Sequence, residues 1–102
     1  MVIKRDGRRE EFSKDKLMSG IKKACQKRPI SPQVIEEMVE TIVETLTNRY
    51  DTEVPGEEIG KMVMNGLRII DDVAYVRYAS VYRRFQEATD FVQEVKKLEA
   101  SQ

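Results

Sequence analysis

Val34, Ile35, Met38, Val39, Ile42, Val43 and Leu46 recur at the i, i+4 spacing of a double helical stripe, while Glu36, Glu37, Glu40 and Glu44 fall outside it. A helix with so wide an apolar face must be covered by other elements, so a helical bundle is the first expectation. Ser31-Pro32 supplies a cap followed by proline at the first helical position, where its missing N–H costs nothing, and the helix is expected to run to about Asn48. Its partners are legible in the same way. Ser13 can cap a helix over about 14–27 with Leu17, Ile21, Ala24 and Cys25 on one face, stopped by Arg28-Pro29. After Pro55-Gly56, a third helix is marked by Ile59, Met62, Val63, Leu67 and Ile70. Asp71 or Asp72 caps a fourth over about 72–87, carrying Ala74, Tyr75, Tyr78, Val81, Tyr82 and Phe85. Thr89-Asp90 then caps a short C-terminal helix, about 90–99, with Phe91, Val95 and Leu98.

Ahead of the helices, Val2-Ile3-Lys4-Arg5 and Arg8-Arg9-Glu10-Glu11-Phe12 flank Asp6-Gly7, a two-residue turn signal that predicts a β-hairpin. Thr52-Glu53-Val54 can add a third short strand. The fold class expected is α+β: a small hairpin or three-stranded sheet capping a bundle of about four helices. With 102 residues the chain is read as one domain over 1–102, its core about 2–87.

Composition narrows the chemistry. The chain has no histidine and a single cysteine, Cys25, which leaves no intramolecular disulfide, no zinc site of ordinary ligand count and no Ser-His or Cys-His catalytic set. The carboxylates sit among lysines at ordinary helix-face spacing, so no active site is read. No apolar run approaches the ~20 residues that span a bilayer and no signal core opens the chain, so a cytoplasmic, non-membrane protein is expected. Net charge is zero but unevenly placed: residues 1–28 hold ten Lys/Arg against four Asp/Glu, and residues 29–72 hold three against ten. A basic first quarter on an otherwise acidic domain suits a small phosphate ligand better than a duplex, which the acidic middle would repel.

The candidate site lies in that first quarter. Lys4, Arg5, Lys16 and the N-terminus of the first helix bring together a lysine, a guanidinium fork and helix amides, the ingredients of a triphosphate site. Lys4 and Arg5 alternate across a strand, so only one can share a face with Glu10 unless a ligand sits at the sheet edge. Lys16 stands in a first helical turn, where a cation opposes the helix dipole unless an anion shares the site. The competing reading is that these charges only guard an exposed sheet edge. No Gly-rich phosphate loop of the G-x-x-x-x-G-K-[ST] kind is present to decide between them.

A resemblance does bear on the choice. Val2-Ile3-Lys4-Arg5-Asp6-Gly7 through Lys16 resembles the opening motif of the ATP-cone, an allosteric ATP/dATP module found on ribonucleotide reductases. Lys23 to Pro29, and above all Asp72-Val73-Ala74-Tyr75-Val76-Arg77-Tyr78-Ala79-Ser80-Val81-Tyr82-Arg83-Arg84-Phe85, resemble the ATP-cone of the NrdR family of repressors of ribonucleotide reductase genes. Carried over, the family's nucleotide contacts fall on Val2, Ile3, Lys4, Arg5, Glu10 and Lys16, with Tyr75 and Tyr82 from helix 4. The lysines and Arg5 would face phosphates, Val2 and Ile3 would meet the base, and Glu10 would accept a hydrogen bond from an adenine amino or sugar hydroxyl group. The competing reading for Tyr75, Tyr78 and Tyr82 is core packing with a wet hydroxyl.

The resemblance implies ATP or dATP as allosteric ligand, with magnesium as an optional companion, and a homo-oligomer whose assembly depends on nucleotide. Family members open with a four-cysteine zinc ribbon that binds operator DNA; this sequence shows no such cysteines, so operator contact is expected only through a ribbon outside it. Gly56 stands where related domains place serine or threonine, which removes a helix-start side-chain contact. Two other functions compete: the allosteric ATP-cone of a ribonucleotide reductase subunit, and a helical DNA-binding module reading with helix 3 or 4. Lys61 and Arg68 on helix 3 lie in the acidic portion, while Arg77, Arg83 and Arg84 accompany a core stripe.

Overall fold

The computed structural model describes residues 1–4 and 7–100. The elements follow in the order β1 (Val2–Ile3), β2 (Arg9–Glu10), α1 (Lys14–Ala24), α2 (Pro32–Arg49), β3 (Val54–Pro55), α3 (Gly56–Ile70) and α4 (Asp72–Ala100). This is an α+β fold in which a three-stranded sheet caps four helices. β1 is the central strand, antiparallel to β2 with Val2 opposite Glu10, and parallel to β3 with Val2 opposite Val54. The parallel pairing needs a long crossover, which α1 and α2 provide. Pro55 has no N–H to offer a further strand and stands where such a residue is tolerated, on the sheet edge.

Hairpin closure differs from the two-residue expectation. The Lys4 N–H donates to the Arg8 carbonyl (2.7 Å) and the Gly7 N–H to the Lys4 carbonyl (2.9 Å), which leaves three residues between the closing pair. Gly7 adopts φ 88, as the last residue of a three-residue hairpin loop requires. Asp6, the first residue of the expected turn, lies outside the described residues.

Both serine caps form. Ser13 Oγ accepts from the Lys16 N–H and Ser31 Oγ from the Val34 N–H, each at 3.2 Å. α1 ends at Ala24, earlier than the expected 27: the Gln26 N–H turns to the Lys23 carbonyl (3.3 Å) in a tighter turn, and Lys27 then takes φ 60, off the path of a right-handed helix. Asp71 both closes α3, its N–H donating to the Leu67 carbonyl (2.8 Å), and starts α4, its Oδ1 accepting from the Ala74 N–H (2.9 Å). One aspartate thus makes a near-immediate reversal between two helices.

Leu17, Ile21, Ala24 and Cys25 of the α1 region, Ile35, Val39, Ile42 and Leu46 of α2, Val63 and Leu67 of α3 and Ala74 of α4 form the core. Four of the seven stripe residues on α2 are therefore buried; Met38 and Val43 pack beside them, and Val34 reaches solvent. At Gly60 α3 packs tightly on α4: an added Cβ would lie 2.5 Å from the Tyr82 ring. Only glycine admits that contact.

α4 departs from expectation in two ways. The break at Thr89-Asp90 is absent, because no proline or glycine interrupts residues 72–100, and the helix runs for 29 residues. At 1.5 Å per residue it is about 43 Å long, against about 22 Å for the α3 it lies on. Its second half consequently leaves Phe91, Val92 and Val95 in solvent. Val81, expected on the core face, is 66% exposed. The inward side follows Ala74, Tyr78 and Tyr82 at strict four-residue spacing, toward α1 and α3, and leaves Val81 on the flank. The side chains of Phe85 and Leu98, also expected to pack, lie outside the described residues.

Candidate functional site

On the hairpin, Val2 and Lys4 share a face because side chains alternate along a strand, and Glu10 joins them because it stands opposite Val2. The diagonal from Lys4 to Glu10 is closed by an ion pair, Lys4 Nζ to Glu10 Oε2 at 2.9 Å. From the other side, the Ser13 cap fixes the first turn of α1 so that Lys16 Nζ reaches Glu10 Oε1 at 3.0 Å. A single carboxylate therefore bridges two ammonium groups, one on the sheet and one on the opening turn of a helix. Its two oxygens are divided between them. The side chains are 33% (Lys4), 42% (Glu10) and 77% (Lys16) exposed, so the cluster opens to solvent.

The apolar residues beside this cluster are Val2, on its face, and Ile3, which alternates to the other. Val2 is buried and Ile3 half-buried. The first residue of α3 lies against them: a Cβ built at Gly56 would be 3.4 Å from the Ile3 carbonyl oxygen and 3.5 Å from Val2 Cγ1. The N-cap of that helix is Pro55, which has no side-chain acceptor, so the start is uncapped, and Gly56 is its first residue. Tyr82 rests on Gly60, about 6 Å along the α3 axis from Gly56. Tyr75 sits elsewhere. It receives a hydrogen bond from Arg68 Nη2 (3.0 Å), whose guanidinium carbon is 4.9 Å from the ring centre. Arg68 is about 18 Å along the same axis from Gly56. The structure thus gathers Val2, Ile3, Lys4, Glu10 and Lys16 at one end, places Tyr82 a helical turn away, and leaves Tyr75 at the other end. Arg5 lies outside the described residues.

Several residues that hold this arrangement escaped the sequence reading. Arg9 Nε donates to Glu53 Oε1 (2.7 Å), tying β2 to the segment that enters β3 across the sheet. Arg77 Nη1 donates to the Ala24 (3.3 Å) and Gln26 (2.7 Å) carbonyls, satisfying the C-terminal end of α1 from α4. Arg28 Nε donates to both oxygens of Asp71 at 3.1 Å, and the Ala74 N–H, then Arg28, holds that carboxyl below the usual carboxylate range. α1 is therefore anchored at one end in the Glu10 cluster and at the other on α4 and the α3–α4 reversal. Cys25, between these bonds, is buried, and burial raises its thiol above the ordinary value. The signal for the second anchor was the Asp71-Asp72 pair between two helical stripes, which showed a cap but not its arginine.

Hydrogen bonds from Lys4 and then Lys16 lower the Glu10 carboxyl to about 2 from its ordinary 4.5. A pKa depressed on folding contributes stability that is fully present above the unfolded value and lost as pH falls through the folded one. Unfolding of the wild type and of Glu10→Gln is thus expected to differ above about pH 5 and to converge as pH falls toward 2. Parallel urea titrations across that window check this; a difference that persists unchanged at pH 2 would contradict it.

Two ammoniums, one on the hairpin and one in the first turn of a helix, beside the buried Val2, make a place for a polyanion with an apolar body. Among the described residues no helix is long and apolar enough to cross a membrane. The family model described as the ATP cone domain matches residues 1–88. The transcriptional repressor NrdR of Opitutus terrae is 49% identical over 98 residues, covering 96% of this chain and 64% of the relative. That of Desulforapulum autotrophicum is 51% identical, covering 96% and 59%. That of Clostridium tetani is 50% identical, covering 96% and 64%. The chain spans roughly three fifths of the length of these relatives.

Proposed function

The chain belongs to the ATP-cone family, and from that premise we propose that it is the nucleotide-sensing domain of a transcriptional repressor of ribonucleotide reductase genes. The module regulates; it is not an enzyme. ATP or dATP is the ligand, with or without magnesium. The observation that carries the reading is the pair of ammoniums brought within 3.0 Å of one carboxylate at the mouth of the cap. Lys4 and Lys16 take phosphate oxygens, with Arg5 as a third cation. Val2 and Ile3 offer the base an apolar floor, Glu10 accepts a hydrogen bond from its amino group or from the sugar, and Tyr82 closes the α3 side. Tyr75, which completes the family's contacts, enters only through a second nucleotide position or a movement of α4.

Nucleotide reaches assembly through α1 and α4. The exposed side of α4 carries Val76 (58%) along one open groove with Arg83 and Arg84, and Val81 (66%) stands on its flank. The glutamates on the solvent face of α2 complement it in a second copy of the chain. A ligand shifts such an equilibrium only as far as it binds the assembled states unequally. Operator DNA is contacted by the part of the full-length repressor outside this chain. The test is mass by light scattering at one protein concentration, without nucleotide, with ATP and with dATP, followed by recovery of the nucleotide. A nucleotide-dependent change in mass, abolished by Arg83→Glu, and intact triphosphate are expected. One mass in all three conditions contradicts the assembly step, and phosphate released by the protein contradicts the non-catalytic role.

A further inference from the structure

The Glu10 carboxylate occupies both ammoniums that the proposed phosphate site requires. Lys4 and Lys16 converge on it at 2.9 and 3.0 Å, one on each oxygen, so a phosphate that takes either lysine must crowd or displace a charge of its own sign. We propose that Glu10 is a specificity-determining residue: a built-in competitor that turns away bare polyphosphate and admits only ligands that give it a new hydrogen-bond donor. The proposal rests on the nucleotide reading above and deepens it.

The chemistry follows from what is left after displacement. With Lys4 and Lys16 turned to phosphates, an ionised Glu10 loses two charge-assisted hydrogen bonds and stands beside a polyanion. Like charges in such contact are strongly unfavourable, and the hydrogen bonds that stabilised the ionised Glu10 carboxyl were those of the two lysines now withdrawn. Inorganic tripolyphosphate has no remedy to offer, being acceptor-only when ionised. A nucleoside triphosphate has one: an exocyclic amino group or a sugar hydroxyl donates to the displaced carboxylate while the phosphates take the lysines. The lysines sit on separate elements, the hairpin and α1, so the exchange replaces an internal tie between them with one that runs through the ligand. Glu10 thereby makes occupancy by phosphate conditional on a base and sugar being attached.

The experiment compares ATP and tripolyphosphate by calorimetry on the wild type, Glu10→Gln and Glu53→Gln. The last removes the same charge from the Arg9 pair on the same sheet and serves as the charge control. Glu10→Gln keeps the size of the side chain and changes an exposed group, and circular dichroism with thermal melting confirms that it folds. In Glu10→Gln, tripolyphosphate is expected to bind at least about tenfold tighter, while ATP gains less, so that discrimination between the two collapses; Glu53→Gln shifts both ligands alike. If tripolyphosphate binds no better to Glu10→Gln than to the wild type although ATP binds the wild type, Glu10 is no competitor and the proposal fails by itself. If ATP binds neither protein, the nucleotide reading fails and takes the proposal with it.

Discussion

Replacing Leu67 with alanine is expected to destabilise the domain by about 3 kcal/mol, the middle of the range for truncating a fully buried leucine. Leu67 is 0% exposed and sits on α3, the helix that lies against both α2 and α4. Its loss removes transfer free energy and leaves a cavity between elements that cannot all close on it, since the Arg28–Asp71 pair fixes the α3–α4 reversal one turn further on. For a domain of about 100 residues that energy corresponds to a melting point lower by roughly 15 °C. Val81→Ala removes an aliphatic side chain from the exposed flank of α4 and is expected to move stability by less than about 0.5 kcal/mol in the monomer. Urea unfolding of both variants checks the contrast. Equal effects would mean that the buried and exposed sides of the α3–α4 pair have been assigned wrongly.

The largest effect on binding is expected from removing both lysines. A hydrogen bond to a charged group contributes about 1.5–3 kcal/mol, so Lys4→Ala with Lys16→Ala should weaken ATP about a hundredfold or more. The two losses are not independent. Each lysine holds a different oxygen of Glu10, so removing one leaves Glu10 on the other and changes what the phosphate must displace. The double variant is therefore expected to differ from the product of the single effects, and the difference measures the coupling through Glu10. Displacement of a fluorescent nucleotide from the four proteins reads this out. Affinity within threefold of wild type in the double variant would remove the phosphates from this end of the cap.

The parts of this structure that the sequence disclosed are those governed by local rules. The apolar stripe on α2, the serine caps at Ser13 and Ser31 and the glycine turn at Gly7 each depend on residues a few positions apart. The extent of α4 was not disclosed. Thr89-Asp90 resembles a cap, but a cap needs a preceding backbone that has left the helix, and nothing in residues 72–88 forces it out. Val81 misled for a related reason: a seven-residue spacing from Ala74 is nearly in phase, and only the position of α3 and α1 decides which edge of the stripe is covered. At the site, the alternation of Lys4 and Arg5 posed the question of which one meets Glu10. The Val2–Glu10 register answers it for Lys4. The Arg77 bonds to Ala24 and Gln26 join residues more than fifty positions apart, and no local pattern announces them. Tyr75 and Tyr82, seven residues apart on α4, meet α3 at Arg68 and at Gly60, in the order that antiparallel packing of the two helices dictates.

The central claim is that the hairpin and the opening turn of α1 bind an adenine nucleoside triphosphate. Isothermal titration of the purified chain with ATP and with dATP, each repeated on Lys16→Ala, tests it most directly. Saturable binding with a dissociation constant in the micromolar range or below is expected, weakened about tenfold or more by the substitution. Absence of saturable heat with either nucleotide, or an affinity that Lys16→Ala leaves unchanged, would contradict it.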